Sequence, residues 1–400
     1  MKLPEAAWRE TPGLDAMLEA LGVRDGAIRF VGGAVRDSLL GLDVTDIDCA
    51  TLLAPDEVVK RLEAAGIKAV PTGIKHGTIT AVLVGKPYEI TTLRRDVATD
   101  GRHAEIAYTD DWQEDAARRD FTINALSADP LTGKIFDYFS GKADLEGRRV
   151  RFIGDPLKRI AEDHLRILRF FRFHARFGGG QPDAPGLVAA TARANDLMAL
   201  SRERIADELL KILALRDPSD TVRLMIERGI FAPVLPEIVD ADGLERLIER
   251  EKTFDQPADP IRRLAALLPP DPTLATAIAT RLKLSRAQRS RLAIAAARMP
   301  GDTAAPRALG YRLGTESAID RLLLCPANDI VTGNALAYLI ANPPPRFPLK
   351  GGELIARGVE PGPEVSRLLK QIEDTWVAEN FPGEERIREM AQRATSSSSS

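Results

Sequence analysis

Two aspartates separated by a single residue, Asp46 and Asp48, are the pair in this 400-residue chain whose spacing best suits the binding of a metal ion. In a strand, alternate side chains project from the same face, so the two carboxylates would lie side by side while Ile47 packs on the other face. Like charges at that distance repel each other unless a cation lies between them. Since Mg²⁺ prefers oxygen ligands, the pair predicts a metal site.

A glycine pair, Gly32-Gly33, precedes the aspartates and follows a short apolar stretch. This order predicts a strand, a turn and a helix that carries Arg36. Glycine has no Cβ, so such a turn presents backbone N–H groups that can bind phosphates. Either feature alone is weak evidence, because Gly-Gly and Asp-x-Asp are usually turns. The sequence GGAVRD followed by DID nonetheless resembles the signature of class II tRNA nucleotidyltransferases and bacterial poly(A) polymerases. The resemblance implies that Gly33 and Arg36 contact a nucleoside triphosphate.

A third carboxylate, Glu89, lies in a predicted hairpin. Residues 78–84 and 88–93 alternate as strands do, and Gly85-Lys86-Pro87 predicts the turn between them. A charged residue within a strand usually faces solvent. The resembled family carries a carboxylate at this point, which implies that Glu89 is a metal ligand or the general base for the primer hydroxyl. Residues 94–111 are polar and aperiodic, and they predict a mobile loop beside the site.

A second motif, RRDFTINAL, spans residues 118–126. The residues alone indicate the basic end of a helix that begins near Asp111, followed by a buried segment. The motif is similar to the family's second motif almost letter for letter. That similarity implies that Arg118 contacts the triphosphate while Asp120 and Asn124 help to recognise the ribose hydroxyls. Because such a pair can hydrogen-bond a 2′-OH, we expect NTPs to be preferred over dNTPs.

Residues 156–177 predict one amphipathic helix. Its Asp163, Arg166, Arg169 and Arg172 would lie along one ridge, where salt bridges within the helix are the default interpretation. The sequence EDHLRILR, however, resembles the family's EDxxR motif. By that resemblance Asp163 and Arg166 read the base, and Arg169 and Arg172 lie toward the triphosphate.

The chemistry of base reading follows from donors and acceptors. A carboxylate only accepts hydrogen bonds and a guanidinium only donates them. Adenine and cytosine both offer an amino donor beside a ring-nitrogen acceptor, whereas guanine and uracil offer the reverse order. An Asp/Arg pair therefore suits A and C, and it rejects G and U because buried groups would stay unpaired.

Composition narrows the class of protein. The formal net charge is -3, but residues 148–176 hold nine Lys or Arg against three Asp or Glu, which locates a basic region for triphosphate and RNA. Cys49 and Cys325 form no disulfide or metal pattern, which favours the cytoplasm. No apolar run approaches the length of a membrane span, so no membrane association is expected. No protein partner is indicated.

The resemblance implies an α+β fold: an N-terminal nucleotidyltransferase domain of the polymerase β-like kind, with a mixed sheet and helices, and then an all-α C-terminal region. The predicted domains are an N-terminal helix, a nucleotidyltransferase head, neck helices that read the nucleotide, a helical body, a tail that binds tRNA, and a disordered end. Their ranges are 1–25, 26–150, 151–215, 216–300, 301–395 and 396–400.

The leading functional hypothesis is a template-independent enzyme that adds or repairs the 3′-terminal CCA of tRNA from CTP and ATP. The resemblance implies two Mg²⁺ ions held by Asp46 and Asp48 during catalysis. A poly(A) polymerase is the nearest alternative, and such enzymes usually carry an arginine-rich segment where this chain has TGIKHGTITAV. Enzymes that add only CC or only A share all these motifs and stay open. A non-catalytic tRNA-binding module is disfavoured by the three intact carboxylates, and an HD phosphohydrolase by the lack of histidine after His174.

Overall fold

The computed structural model describes residues 2–74, 77–99 and 104–398. The chain divides into two units, Met1–Pro236 and Glu237–Ser400. This division falls within the predicted helical body, and the other predicted domain boundaries stay predictions. The first unit combines a sheet with helices, and the second is helical throughout its described residues. The predicted α+β class is confirmed.

A mixed sheet of seven strands forms the centre of the first unit, in the order β3-β4-β5-β2-β1-β8-β9. Only β2 and β5 pair in parallel among the described strands. A separate antiparallel pair consists of β6 and β7. The strands are β1 (Ile28–Val31), β2 (Ile47–Thr51), β3 (Lys68–Gly73), β4 (Thr78–Leu83), β5 (Lys86–Thr92), β6 (Arg94–Thr99), β7 (Ala104–Tyr108), β8 (Ser127–Ala128) and β9 (Ile135–Phe136).

The predicted hairpin is present, and its turn is tighter than expected. Val84 and Gly85 both have positive φ, 49° and 76°, as a two-residue hairpin turn of type I′ requires. Lys86 and Pro87 therefore belong to strand β5 rather than to the turn.

The predicted mobile loop at 94–111 is wrong for most of its length. Strands β6 and β7 occupy Arg94–Thr99 and Ala104–Tyr108, and helix α4 begins at Trp112. A two-stranded ribbon outside the main sheet needs no buried face, so it leaves no alternating apolar pattern in the sequence. Residues 100–103 lie outside the described residues.

Ten α-helices are described in the first unit. They are α1 (Leu14–Ala20), α2 (Gly33–Leu39), α3 (Pro55–Ala64), α4 (Trp112–Ala117), α5 (Gly141–Glu146), α6 (Pro156–Glu162), α7 (Arg166–Phe177), α8 (Ala184–Ala192), α9 (Arg202–Leu213) and α10 (Ser219–Glu227). Helix α7 packs against α9 and α10 through a face rich in phenylalanine.

The predicted single helix at 156–177 is in fact two helices. Helix α6 ends at Glu162, Asp163 is extended (φ -151°, ψ 107°), and α7 begins at Arg166. The Asp163 side chain accepts a hydrogen bond from the Leu165 backbone N–H at 3.1 Å, so it starts a new turn as a cap residue does. Asp163 therefore does not share a helical ridge with the three arginines that follow it.

The second unit is built from helices α11 to α20. They are α11 (Asp242–Thr253), α12 (Pro260–Ala266), α13 (Pro272–Arg281), α14 (Arg286–Ala296), α15 (Pro306–Leu313), α16 (Thr315–Leu324), α17 (Asp329–Ala341), α18 (Gly351–Ile355), α19 (Pro363–Ala378) and α20 (Glu384–Ser398). Helix α20 continues through residues 396–398, and the Ser396 hydroxyl donates to the Gln392 carbonyl at 2.9 Å, whereas the predicted disorder of 396–400 stays a prediction. None of the helices in the described ranges has the length and hydropathy of a membrane span.

Candidate active site

A cleft of about 710 Å³ in the first unit brings most of the predicted site residues together. Of the twelve predicted residues, only Glu89 is absent from its lining. The eleven that line it are Gly33, Arg36, Asp46, Asp48, Arg118, Asp120, Asn124, Asp163, Arg166, Arg169 and Arg172. Residues more than 100 positions apart in sequence thus share one cleft.

The three carboxylates lie where the two central strands meet. Asp46 directly precedes β2, and Asp48 lies within it. The parallel pairing of β2 with β5 places Asp48 opposite Glu89, so both side chains lie on the same face of the sheet. Burial raises the pKa of Asp48, and the nearby charges of Glu89 and Asp46 raise it further, while Arg119 acts in the opposite direction. The repulsion that the sequence predicted is therefore present.

The donor set suits a hard divalent cation. Asp46 and Asp48 offer only oxygen ligands, and Asp48 is destabilised as an anion by its acidic neighbours. Within residues 2–74, 77–99 and 104–398, no set of three acidic, histidine or cysteine side chains converges closely enough to hold an ion alone. Asp46 and Asp48 alone still fit Mg²⁺, because this ion usually binds one or two carboxylates and takes its other ligands from water and substrate phosphates.

The glycine turn lies against an arginine from the second motif. Gly32 has φ +64°, and a Cβ at this position would lie 2.9 Å from Nη1 of Arg119. The backbone N–H of Gly32 donates to the Leu126 carbonyl at 2.9 Å, so the turn is tied to the end of the RRDFTINAL segment. Glycine is required here both by backbone conformation and by close approach.

The two arginines of the second motif are oriented by one buried acid, Asp115. Arg118 contacts it at 2.7 Å and Arg119 at 3.5 Å, and these charges outweigh burial and hold the pKa of Asp115 below its usual range. Both arginines line the cleft. Sequence reasoning singled out Arg118 but missed Arg119, although the Arg-Arg doublet was the available signal.

Asp120 and Asn124 form the centre of a buried network. Oδ1 of Asp120 accepts from Nδ2 of Asn124 and from the Phe121 backbone N–H, both at 2.9 Å. Oδ2 accepts from Nε of Arg169 at 2.7 Å. Nη1 of Arg36 donates to Oδ1 of Asn124 at 2.5 Å. Burial alone would raise the pKa of Asp120, but Arg169 and Asn124 lower it overall, so the carboxylate is ionised.

Helix α5, Gly141–Glu146, packs against this network and supports it. Asp144 is fully buried, and Oδ2 accepts from the Thr122 hydroxyl at 2.6 Å and from Nε of Arg151 at 2.8 Å. Gly141 packs so closely on the Thr122 carbonyl that a Cβ would lie 2.1 Å from it. Helix α5 thus fixes the short turn, Thr122–Asn124, that carries Asn124.

The predicted base-reading residues lie on both sides of the break between α6 and α7. Nη2 of Arg204 contacts both oxygens of Asp163 at 2.9 Å. Nη1 of Arg166 donates to Glu162 at 2.6 Å and to the Arg159 carbonyl at 3.0 Å. Arg204 lies in the first turn of α9 and was missed, because a lone arginine in an exposed helical turn is usually a surface residue.

Helix α9 also holds two arginines of α7. Glu208, which is 2% exposed, contacts Nε of Arg172 at 2.6 Å and Nη1 of Arg169 at 3.7 Å. Burial lowers the pKa of Arg169, but the charges of Asp120 and Glu208 outweigh burial and raise the pKa overall. These two guanidiniums are therefore fixed and charged before any ligand binds.

The cleft as a whole is positively charged. Nine arginines and five aspartates line it, an excess that suits a polyanion. Several residues that line the cleft were not predicted from the sequence, including Asp37, Arg94, Arg119, Phe173, Arg176 and Arg204. Arg176 contacts Asp37 at 3.4 Å and lies at the end of α7, beyond the motif that was recognised.

Comparison with known proteins gives consistent similarities. Residues 28–151 match the family described as the poly A polymerase head domain, and residues 187–242 match a probable RNA and SrmB-binding site of polymerase A. The chain is 35% identical to the mitochondrial CCA tRNA nucleotidyltransferase 1 of Danio rerio over 382 residues, which cover 92% of this chain and 87% of that protein. Since that relative is mitochondrial, the predicted cytoplasmic location is not confirmed.

Solved structures resemble the whole chain. The Bacillus stearothermophilus CCA-adding enzyme in complex with CTP has a TM-score of 0.75 and 26% identity, covering 97% of this chain and 99% of that one. The Thermotoga maritima CCA-adding enzyme complexed with tRNA has a TM-score of 0.69 at 21% identity, covering 95% of each chain. The second similarity supports the fold alone.

Proposed function

The chain belongs to the family of CCA-adding tRNA nucleotidyltransferases, and we propose that it adds or repairs the 3′-terminal CCA of tRNA from CTP and ATP, releasing pyrophosphate. The observation that carries this proposal is the convergence of three motifs on one cleft: the carboxylates at the start of β2, the RRDFTINAL segment and the EDHLRILR segment. The first would hold the metal, the second would recognise the sugar and the third would read the base.

In the proposed reaction, the 3′-hydroxyl oxygen of the tRNA bonds to the α-phosphorus of the nucleotide, and the bond to pyrophosphate breaks. Asp46 and Asp48 would hold Mg²⁺, which, when bound, activates the hydroxyl and neutralises charge on the leaving group. Glu89, which pairs with Asp48 across β5 and β2, would take the hydroxyl proton or orient its neighbour. The arginines of the cleft bind the triphosphate.

The sugar would be recognised through Asn124 more directly than through Asp120. The protein already supplies donors to both oxygens of Asp120, from Phe121, Asn124 and Arg169. Asn124 keeps one amide hydrogen beyond the one it gives to Asp120, and this hydrogen can donate to a 2′-OH. Asp120 then acts by fixing Asn124 and Arg169. A deoxynucleotide would leave the amide hydrogen unpaired, so we expect NTPs to be preferred.

The base would be read by the acceptor and donor positions left open at the helix break. Oδ1 of Asp163 already accepts from Leu165 and Arg204. Among the described residues, Oδ2 accepts from Arg204 alone and so keeps one position for a base amino group. Both hydrogens on Nη1 of Arg166 are used by Arg159 and Glu162, and Nη2 donates one hydrogen to the Arg118 carbonyl at 3.1 Å. The second hydrogen on Nη2 and the Nε–H are left for a ring nitrogen. This arrangement suits A and C.

The test is nucleotide addition by the purified protein with Mg²⁺ and tRNA transcripts that end before CCA, after CC, or after the complete CCA. Each NTP is supplied in turn and then in mixtures. We expect C, C and A to be added in order and addition then to stop. Unlimited addition of A to unrelated RNA would instead identify a poly(A) polymerase, and addition of only CC or only A would identify a partial enzyme.

A further inference from the structure

Three guanidinium groups surround the ring of Phe173 in the cleft. The Cζ atoms of Arg172, Arg169 and Arg36 lie 4.4, 5.2 and 5.3 Å from the ring centroid. A cation within about 6 Å of an aromatic ring is attracted to its electron-rich face, and the attraction is stronger where water is excluded. Phe173 is only 5% exposed, so the water-excluded case applies.

Each of the three arginines also has a carboxylate partner. A carboxylate and a ring together restrain a guanidinium more than either does alone. The ring also offsets part of the repulsion among three cations that share one centroid. The carboxylate partners are Asp37 for Arg36, Asp120 for Arg169 and Glu208 for Arg172, with closest distances of 2.7, 2.5 and 2.6 Å.

Ordinary packing is the simpler interpretation of a buried phenylalanine. The ring of Phe173 does lie 5.3 Å from that of Phe121 and 5.8 Å from that of Phe177, between centroids. Packing alone, however, would be satisfied by an aliphatic side chain and gives no reason for three cations to gather around this ring.

We propose that Phe173 is a positioning residue whose ring holds Arg36, Arg169 and Arg172 in the arrangement that receives the triphosphate. The proposal rests on the proposed function, since it requires the cleft to bind a nucleoside triphosphate. Its physical basis is preorganisation: arginines that are already gathered lose less freedom when the phosphates bind.

Fluorination of the ring tests this role without changing its shape much. Phe173 is replaced in the full chain by phenylalanine carrying one, two or three ring fluorines, each of which withdraws electron density from the ring face. The Kd of CTP and the Kd of cytidine are then measured. We expect the Kd of CTP to rise stepwise, to about tenfold with three fluorines. The Kd of cytidine, which has no phosphate, should stay within about twofold.

Phe170 provides a matched control on the same helix. Its ring stacks on Phe152 with centroids 5.6 Å apart, and no guanidinium lies over it among the residues that the structure describes. The same fluorinated series at Phe170 should leave the Kd of CTP unchanged. A flat response at Phe173, or an equal rise for cytidine and CTP, would overturn the proposal. Failure of the unsubstituted protein to bind CTP would instead reject the proposed function.

Discussion

Replacing Asp163 by asparagine should relax base selection without unfolding the protein. Asparagine keeps the size of the side chain but exchanges one acceptor oxygen for an NH₂ donor. In the wild-type cleft the remaining acceptor position of Asp163 suits the amino group of cytosine or adenine. In Asp163→Asn the amide can turn its NH₂ group toward the base and donate to the O4 carbonyl of uracil.

The expected size follows from the contacts of Asp163. Its pair with Arg204 is 32% and 40% exposed, so losing it should lower the free energy of unfolding by about 1 kcal/mol or less. The lost hydrogen bond between the base and a charged acceptor is worth about 1.5–3 kcal/mol, which lowers the ratio of kcat/KM for CTP to that for UTP by roughly 10–150-fold. Arg166 and the N3–H of uracil are both donors and cannot pair with each other, so the variant should still prefer CTP to UTP.

Single-nucleotide addition to a tRNA ending before CCA, measured for CTP and UTP separately, gives this ratio. Asp207→Asn is the matched control, because it makes the same change on an exposed residue of α9 that pairs with Lys211 outside the cleft. The control should keep wild-type selectivity. If Asp163→Asn also kept it, with normal thermal unfolding, the base-reading argument would be wrong.

The remaining predictions concern the metal site, the glycine turn and the buried network. Asp48→Asn should abolish nucleotide addition yet leave the Kd of tRNA within about threefold in filter binding, since it removes a cation ligand and little else. Gly32→Ala should lower the free energy of unfolding by about 1–2 kcal/mol in urea, because φ is +64° and the new Cβ meets Arg119; an unchanged midpoint would contradict this. The pKa of Asp120 is lowered in the folded state, so its charge stabilises the fold above the unfolded pKa, and that stability is lost as the pH falls through the folded pKa. Asp120→Asn should therefore reduce the difference between the urea midpoints at about pH 7 and about pH 2.

Features encoded by neighbouring residues could be predicted from the sequence. The glycine turn, the aspartate pair and the hairpin each depend on local backbone chemistry, and all three are present. The position of Glu89 beside Asp48 was reached only through family resemblance, because it depends on the parallel pairing of β2 with β5. A tight turn between two strands can be recognised in the sequence, but β2 and β5 are joined through α3, β3 and β4. No local pattern in the sequence therefore indicates that these two strands pair.

Features that depend on distant partners were missed or misplaced. The apolar periodicity of residues 156–177 continues through the helix break, so it concealed the extended conformation of Asp163. Arg204 and Arg119 became site residues only because the folded chain brings them to Asp163 and to the glycine turn. The sequence does not distinguish an arginine that faces solvent from one that pairs with a carboxylate 41 positions away, as Arg204 does with Asp163.

The parallel pairing of β2 with β5 also determines when the carboxylates can meet during synthesis of the chain. Helix α3 and strands β3 and β4 lie between Asp48 and Glu89 in sequence, so contact between the two residues requires a long loop to close. A nascent chain that has emerged only through β4 holds two aspartates with no third carboxylate, and the arginines of α7 follow much later. The acidic residues of the cleft and the arginines that balance them thus come from distant parts of the chain, and bringing them together costs loop-closure entropy.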